Sequence, residues 1–249
     1  MSVRASGRRA DEPRAVELQI DVNRHAEGSC LIRVGQTEVL CTASIEERVP
    51  PWLVGRGEGW LTAEYGMLPR ATGQRSVRDR VGGRPNGRAL EIQRLIGRSL
   101  RAVVDRKVFG DRTIWVDCDV LQADGGTRCA AITGGFVAMA CAFKHLERAR
   151  KLTGYPLLDV EAAISVGLMA GEILLDLDYE EDAAAEVDVN VVRTGRGRYV
   201  EIQGTAEETP LTREQLMAAL ELADRGTDFL IERQRDVLGE RLDRILRTD

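Results

Sequence analysis

Residues 113–143 run TIWVDCDVLQADGGTRCAAITGGFVAMACAF. Over Thr113 to Leu121, Ile114, Val116, Cys118 and Val120 fall on one side of an extended chain, with Asp117 and Asp119 on the other, which is a strand. No charge occurs between Cys129 and Phe143, and Gly134, Gly135, Ala138 and Ala140 are small. That composition predicts a close-packed core helix over about 129–150. Between the two lies Asp124-Gly125-Gly126-Thr127-Arg128, a turn from strand to helix.

Upstream, Val16, Leu18 and Ile20 alternate, as do Val39, Cys41, Ala43 and Ile45, and Leu31 to Val34 less cleanly. Gly35-Gln36 between the last two runs reads as a hairpin turn. Trp60 to Tyr65 is a further strand, and residues 68–87 form a long glycine-rich loop. Ile92, Leu95, Ile96, Leu100 and Val103 then recur at helical spacing. Downstream, 152–158 with Gly154 and Pro156 reads as a link. Strands follow at about 160–169, 172–178, 187–193 and 198–204, with a capping box at Thr212 to Gln215 ahead of a helix from about 213. An Arg-, Glu- and Asp-rich helix with one apolar stripe is predicted from Thr227 to Leu246. Strands then helices, twice over, predict an α+β chain of two similar halves, about 14–150 and 158–234, in one domain.

The chain has 249 residues, 43% apolar and 30% charged, ordinary for a globular protein. Its longest uncharged stretch, 15 residues, is short of the ~20 that span a bilayer, and no apolar run follows Arg4, Arg8 and Arg9 as a signal peptide would require. Five cysteines form no CxxC pair, and with His25 and His145 they complete no zinc spacing, so free thiols in a reducing cytoplasm are expected. The net charge of −5 is unevenly spread. Between Arg70 and Arg88 stand six arginines (70, 75, 78, 80, 84 and 88) against Asp79 alone; between Glu172 and Asp188 stand eight acids and no base. Such segregation makes local sites that the total hides.

Four features have chemical potential. Glycines at 125 and 126 let a backbone approach an anion, and a helix N-terminus with Thr127 and Arg128 adds donors, enough to hold one phosphate group. The turn lacks the lysine of a P-loop, and it would serve equally as a plain turn with a surface arginine. Arg88, at the start of the other helix against the local dipole, would make that site a two-sided clamp, or else be a solvated helix-start residue. Asp182 and Asp188 would lie about 20 Å apart along a strand. If the chain turns at Ala183 to Ala185, both carboxylates converge on a magnesium-sized ion; otherwise they belong to a solvated acidic hairpin. The arginine loop is either disordered or a salt-sensitive contact for a phosphate backbone. No aromatic platform accompanies it, so sequence readout is not expected.

These pieces together resemble the ribonuclease PH family. The likeness covers nearly the whole chain, through Gly7-Arg8, HAEGS at 25–29, VLCTAS at 39–44, GWLTAEYGMLPRATG at 59–73, EIQRLIGR at 91–98, DCDV at 117–120, QADGGTR at 122–128, Glu181-Asp182, EVDVN at 186–190 and EIQGTAE at 201–207. Cys129, where a threonine is expected, and Glu58, where glutamine is usual, are departures outside the candidate chemistry.

The resemblance implies a fold of two similar βαβα halves and a hexamer, a trimer of dimers. It implies that Arg88, Gly126, Thr127 and Arg128 hold inorganic phosphate as co-substrate. Asp182 and Asp188 become catalytic acids holding a divalent metal, Mg2+ by expectation, and Arg70, Arg75 and Arg78 hold RNA. The implied activity is phosphate-dependent 3′→5′ removal of nucleotides from transfer RNA precursors and other RNA 3′ ends, with no DNA or membrane partner. The rivals are a metal-dependent hydrolytic nuclease and a non-catalytic RNA-binding ring subunit. The first needs no anion cradle; the second needs none of these side chains together.

Overall fold

The computed structural model describes residues 4–78, 86–206 and 210–248. Asp79, Arg80 and Arg84 of the arginine-rich segment, and Glu207 of the last motif, lie outside the described residues.

The alternating runs at the start of the chain become three antiparallel strands, β1 (Val16–Ile20), β2 (Gly28–Val34) and β3 (Thr37–Glu46). Val34 pairs with Thr37, so Gly35-Gln36 is the two-residue turn, with Gly35 at φ +58. Next come β4 (Trp60–Met67), α1 (Gly87–Ala102) and β5 (Thr113–Gln122). β4 and β5 pair in parallel, with α1 in the crossover, and the sheet order is β1-β2-β3-β5-β4. α2 (Thr127–Arg148) closes this half. The second half has β6 (Glu161–Met169), β7 (Glu172–Leu175), α3 (Tyr179–Ala184), β8 (Val187–Thr194), β9 (Tyr199–Ala206), α4 (Arg213–Leu238) and α5 (Glu240–Asp243). Its sheet, β7-β6-β8-β9, is antiparallel throughout. Both halves are thus a sheet with a long helix after it, as the α+β reading requires, but the parallel crossover belongs to the first.

α2 packs on β2, β3 and β5 of one sheet and on β6 of the other, which explains its composition. A Cβ at Gly28 would lie 2.0 Å from the Ala138 carbonyl oxygen, and one at Gly134 would lie 2.7 Å from Ile32. Thr133 Oγ1 accepts from Ala163 N at 3.1 Å, and Gln234 Nε2 of α4 donates to the Thr133 carbonyl at 3.0 Å. One continuous aliphatic core results. α2 is long and apolar enough by composition to cross a membrane, but 89% of its apolar window is buried between the sheets. All five cysteines are free and buried.

Three expected boundaries move. α2 starts at Thr127 rather than 129, which makes Thr127 and Arg128 its first turn. The strand expected over 172–178 stops at Leu175, because Asp176 takes φ +54 and Asp178 caps α3. The helix expected to reach 246 is α4, which ends at Leu238; Gly239 at φ +48 and ψ −134 cannot continue it, and α5 stops at Asp243. Leu246 instead bridges Leu157, within the segment read as a link.

Candidate active site

A cleft of about 250 Å³ opens where the first turn of α2 faces α3, and Arg88, Gly126, Thr127, Arg128, Asp182 and Asp188 all line it. Six of the nine residues singled out from sequence therefore meet in one place. Arg70, Arg75 and Arg78 do not line it; they stand exposed on the segment that leaves β4. Thr72 of that segment lines the cleft, so the basic stretch begins at its mouth.

The anion side is built by backbone. Gly125 at φ +74 and Gly126 at φ +65 lie in the left-handed region that side chains disfavour, and a Cβ on Gly125 would come within 2.7 Å of the Leu177 carbonyl. Buried Thr37 fixes the turn: its Oγ1 donates to the Gly125 carbonyl at 2.7 Å and accepts from Asp124 N at 2.9 Å. Among the described residues no side chain caps α2, and its first turn has no acid, so its dipole and N–H groups face the cleft. α1 likewise has no acid in its first turn. Arg88 is its second residue, its N–H donating to Asn86 Oδ1 at 3.0 Å.

Partners that the sequence reading left out orient these groups. Tyr65, buried, shares a 2.8 Å hydrogen bond with Thr127 Oγ1. Burial pushes the Tyr65 phenol up, against the pull of Thr127 and of Arg88 and Arg128, so it stays neutral. Arg128 donates to Gln203 Oε1 at 2.5 Å and lies 3.5 Å from Glu91, while Gln203 Nε2 donates to Glu91 Oε1 at 3.0 Å. Glu91 and Gln203 both fall within motifs quoted above, but no local pattern tells which cation they serve, because β9, α1 and α2 meet only in the fold.

The acidic side carries Asp182 near the end of α3 and Asp188 in β8, so the chain does turn at the alanines. Burial, and then the charge of Asp182, push Asp188 up to about 6 despite the hydrogen bond from Asn190 and the nearby Arg128 and Arg88. Asn190 Nδ2 donates to Asp188 Oδ2 at 2.8 Å, and Cys129 donates to Asn190 Oδ1 at 3.2 Å. Asp188 Oδ1 is buried with no hydrogen-bond partner among the described residues. A hard cation suits that donor set: it would satisfy Oδ1 and relieve the repulsion between the carboxylates.

The N-terminal segment, assigned no role from sequence, clamps the acidic side. Arg4 is buried and binds both carboxylate oxygens of Glu181 of α3 through Nε and Nη2, and it donates to the carbonyls of Leu175 at 2.8 Å and Asp176 at 3.0 Å. Burial pushes Glu181 up, but Arg4, the N-cap backbone and Arg8 outweigh it and hold the carboxyl below its usual range. Arg14 donates to both oxygens of buried Asp176, at 2.6 and 3.0 Å, and also to the Asp124 carbonyl. One ion pair thereby ties the glycine turn to the lead-in of α3.

The chain matches the 3′ exoribonuclease family, domain 1, over residues 12–144 and domain 2 over residues 159–226. It is 56% identical to the ribonuclease PH of Bacillus subtilis, over 96% of this chain and 98% of that one. It is also 56% identical to that of Moorella thermoacetica, over 98% and 97%. Rice Rrp46 superposes with a TM-score of 0.76 at 18% identity, covering 94% of this chain and all of that one. A chain of an Archaeoglobus fulgidus exosome with RNA bound to the active site does so with a TM-score of 0.76 at 22% identity, covering 92% and 91%. Those two share the fold, while the close relatives settle descent: the chain belongs to the RNase PH family of 3′ exoribonucleases.

Proposed function

We propose that the protein shortens RNA from the 3′ end by phosphorolysis, releasing nucleoside diphosphates, with transfer RNA precursors among its substrates. The observation that carries this reading is the meeting, in one cleft, of an anion cradle and a carboxylate pair. Hydrolysis supplies its own nucleophile from water and needs no cradle.

Inorganic phosphate sits between Arg88, Arg128, Thr127 Oγ1 and the first N–H groups of α2. This orients one phosphate oxygen toward the phosphorus of the terminal 3′,5′ linkage. A phosphate oxygen–phosphorus bond forms as the bond from phosphorus to the 3′ oxygen of the penultimate nucleotide breaks; that oxygen takes a proton. The products are a nucleoside diphosphate and an RNA shorter by one. Phosphate is already a competent nucleophile, so no strong general base is needed. An ester is exchanged for an anhydride, so excess nucleoside diphosphate drives the reverse, nucleotide addition. Asp182 and Asp188 would hold a divalent cation, Mg2+ in this reading, which supplies charge neutralisation at phosphoryl and leaving oxygens. Gln203 and Glu91 aim Arg128, and Tyr65 aims the Thr127 hydroxyl. Arg70, Arg75 and Arg78 at the mouth hold the upstream backbone, and a ring of copies, a hexamer by family likeness, gathers several such stretches.

Asp182→Ala and Asp188→Ala test this against an RNA-binding scaffold. Each is expected to lose turnover by at least about 100-fold while binding of a 3′-labelled RNA stays within a few-fold. Retained turnover would remove the carboxylates from the mechanism.

A further inference from the structure

Tyr179 opens α3, one turn before Asp182 and on the same side of the helix. Aromatics make up only 4% of this chain, and Tyr179, 64% exposed, is more open to solvent than Trp52, Tyr155 or Tyr199. It lines the same cleft as Arg88, Thr127 and Asp188, and among the described residues no other aromatic does. Its backbone is fixed where the halves of the site meet. Tyr179 N donates to Asp124 Oδ1 at 3.3 Å, and the space beside it exists only because residue 125 is glycine; a Cβ there would come within 2.9 Å of that nitrogen. The capping box of Asp178 and Glu181 holds the first turn of α3 from the other side.

The backbone of Tyr179 is thus fixed on the wall of the cleft that also holds the anion cradle and the carboxylates, and its ring is free to meet a ligand there. Asp182 lies about 5 Å along the helix from it. In the phosphorolytic reading, on which this inference rests, the reacting phosphorus lies between the anion cradle and the carboxylates. The ribose and base of the departing nucleotide project out of the cleft from there. Every base has a π face, so one aromatic plate serves all four.

We propose that Tyr179 is the platform on which the base of the 3′-terminal nucleotide stacks. It binds a base of any identity and discriminates against a terminal sugar that lacks one.

The experiment compares wild type, Tyr179→Ala and Tyr179→Phe on two 5′-labelled RNAs that differ only in whether the terminal nucleotide carries its base. Each is run with and without inorganic phosphate. On the normal RNA, Tyr179→Ala is expected to lose about 10- to 100-fold in kcat/KM for RNA. Its KM for phosphate should stay within twofold, and Tyr179→Phe should stay close to wild type. On the baseless RNA the wild type is expected to slow by a similar factor and Tyr179→Ala to match it, because the lost contact is the same one. A Tyr179→Ala enzyme as fast as wild type on normal RNA overturns the proposal. So does a loss that persists undiminished on the baseless RNA, since the ring would then be acting on something other than the base. Absence of phosphate-dependent shortening in the wild type overturns the phosphorolytic reading and this inference together.

Discussion

At the scale of single residues, the informative side chains are those whose partners come from elsewhere in the chain. Arg88, Thr127, Arg128, Asp182 and Asp188 were legible because their residue types sit in short, chemically suggestive strings. Gln203 and Tyr65 were visible only inside motifs, with no hint of what they touch. Gln203→Ala removes one hydrogen bond to a charged group, which should raise the KM for phosphate about tenfold and leave kcat nearly unchanged; steady-state phosphate titration checks it. Glu161 is a different case. It is fully buried at the start of β6, and neither carboxylate oxygen has a hydrogen-bond partner among the described residues. Burial, with the charge of Asp159, pushes it up to about 8 from an ordinary 4.5. The folded chain then binds a proton that the unfolded chain has released, so stability falls as pH rises from about 4.5 to about 8 and levels off above. The slope is at most about 1.4 kcal/mol per pH unit. Glu161→Gln should flatten that dependence and raise stability above neutral pH. Urea unfolding at pH 5, 6.5 and 8 decides it, and an unchanged slope would mean that Glu161 is not its source.

Among the elements, α3 matters most and was least legible. A run of alternating and acidic residues read as strand to 178, and of the two alternatives left open beyond it, the turn at the alanines is the one that brings Asp182 and Asp188 into one cleft. The missing information was tertiary. Arg4 and Arg14, far off in sequence, neutralise Glu181 and Asp176, and that permits a six-residue helix too short to stand by itself. α2, by contrast, was legible almost to its ends, because a helix buried between two sheets must be apolar on every side. Arg14→Ala removes both guanidinium hydrogen bonds to buried Asp176 and leaves its carboxylate only the residue-14 backbone N–H and Arg8 at 3.9 Å, with an expected cost of about 3 kcal/mol. It also frees the glycine turn from α3, so both the Tm and the affinity for phosphate should fall. A Tm loss with unchanged phosphate affinity would make the pair a stability feature alone.

For the whole molecule, two halves of one chain supply opposite charges to one cleft: the anion cradle comes from the helices of the first half and the carboxylates from α3 and β8 of the second. A net charge of −5 conceals this, and the segregation of charge along the sequence reveals it. The two-half organisation was legible from the repeated order of strands and helix. The parallel β4-α1-β5 crossover was not, because alternation fixes a strand without fixing its neighbour. The exposed Arg75 and Arg78 belong to this scale too, as contacts for RNA beyond the cleft. Replacing both with alanine should weaken RNA binding and reduce the slope of log K against log salt by about 1.4; fluorescence anisotropy at 50–200 mM salt measures it, and an unaltered slope would leave the loop without that role. The central claim is that phosphate, not water, is the nucleophile. The direct measurement incubates a 3′-extended transfer RNA with the protein and magnesium, with and without inorganic phosphate, and identifies the mononucleotide released. Nucleoside diphosphates that appear only with phosphate are the expected result; nucleoside monophosphates released without phosphate would contradict it.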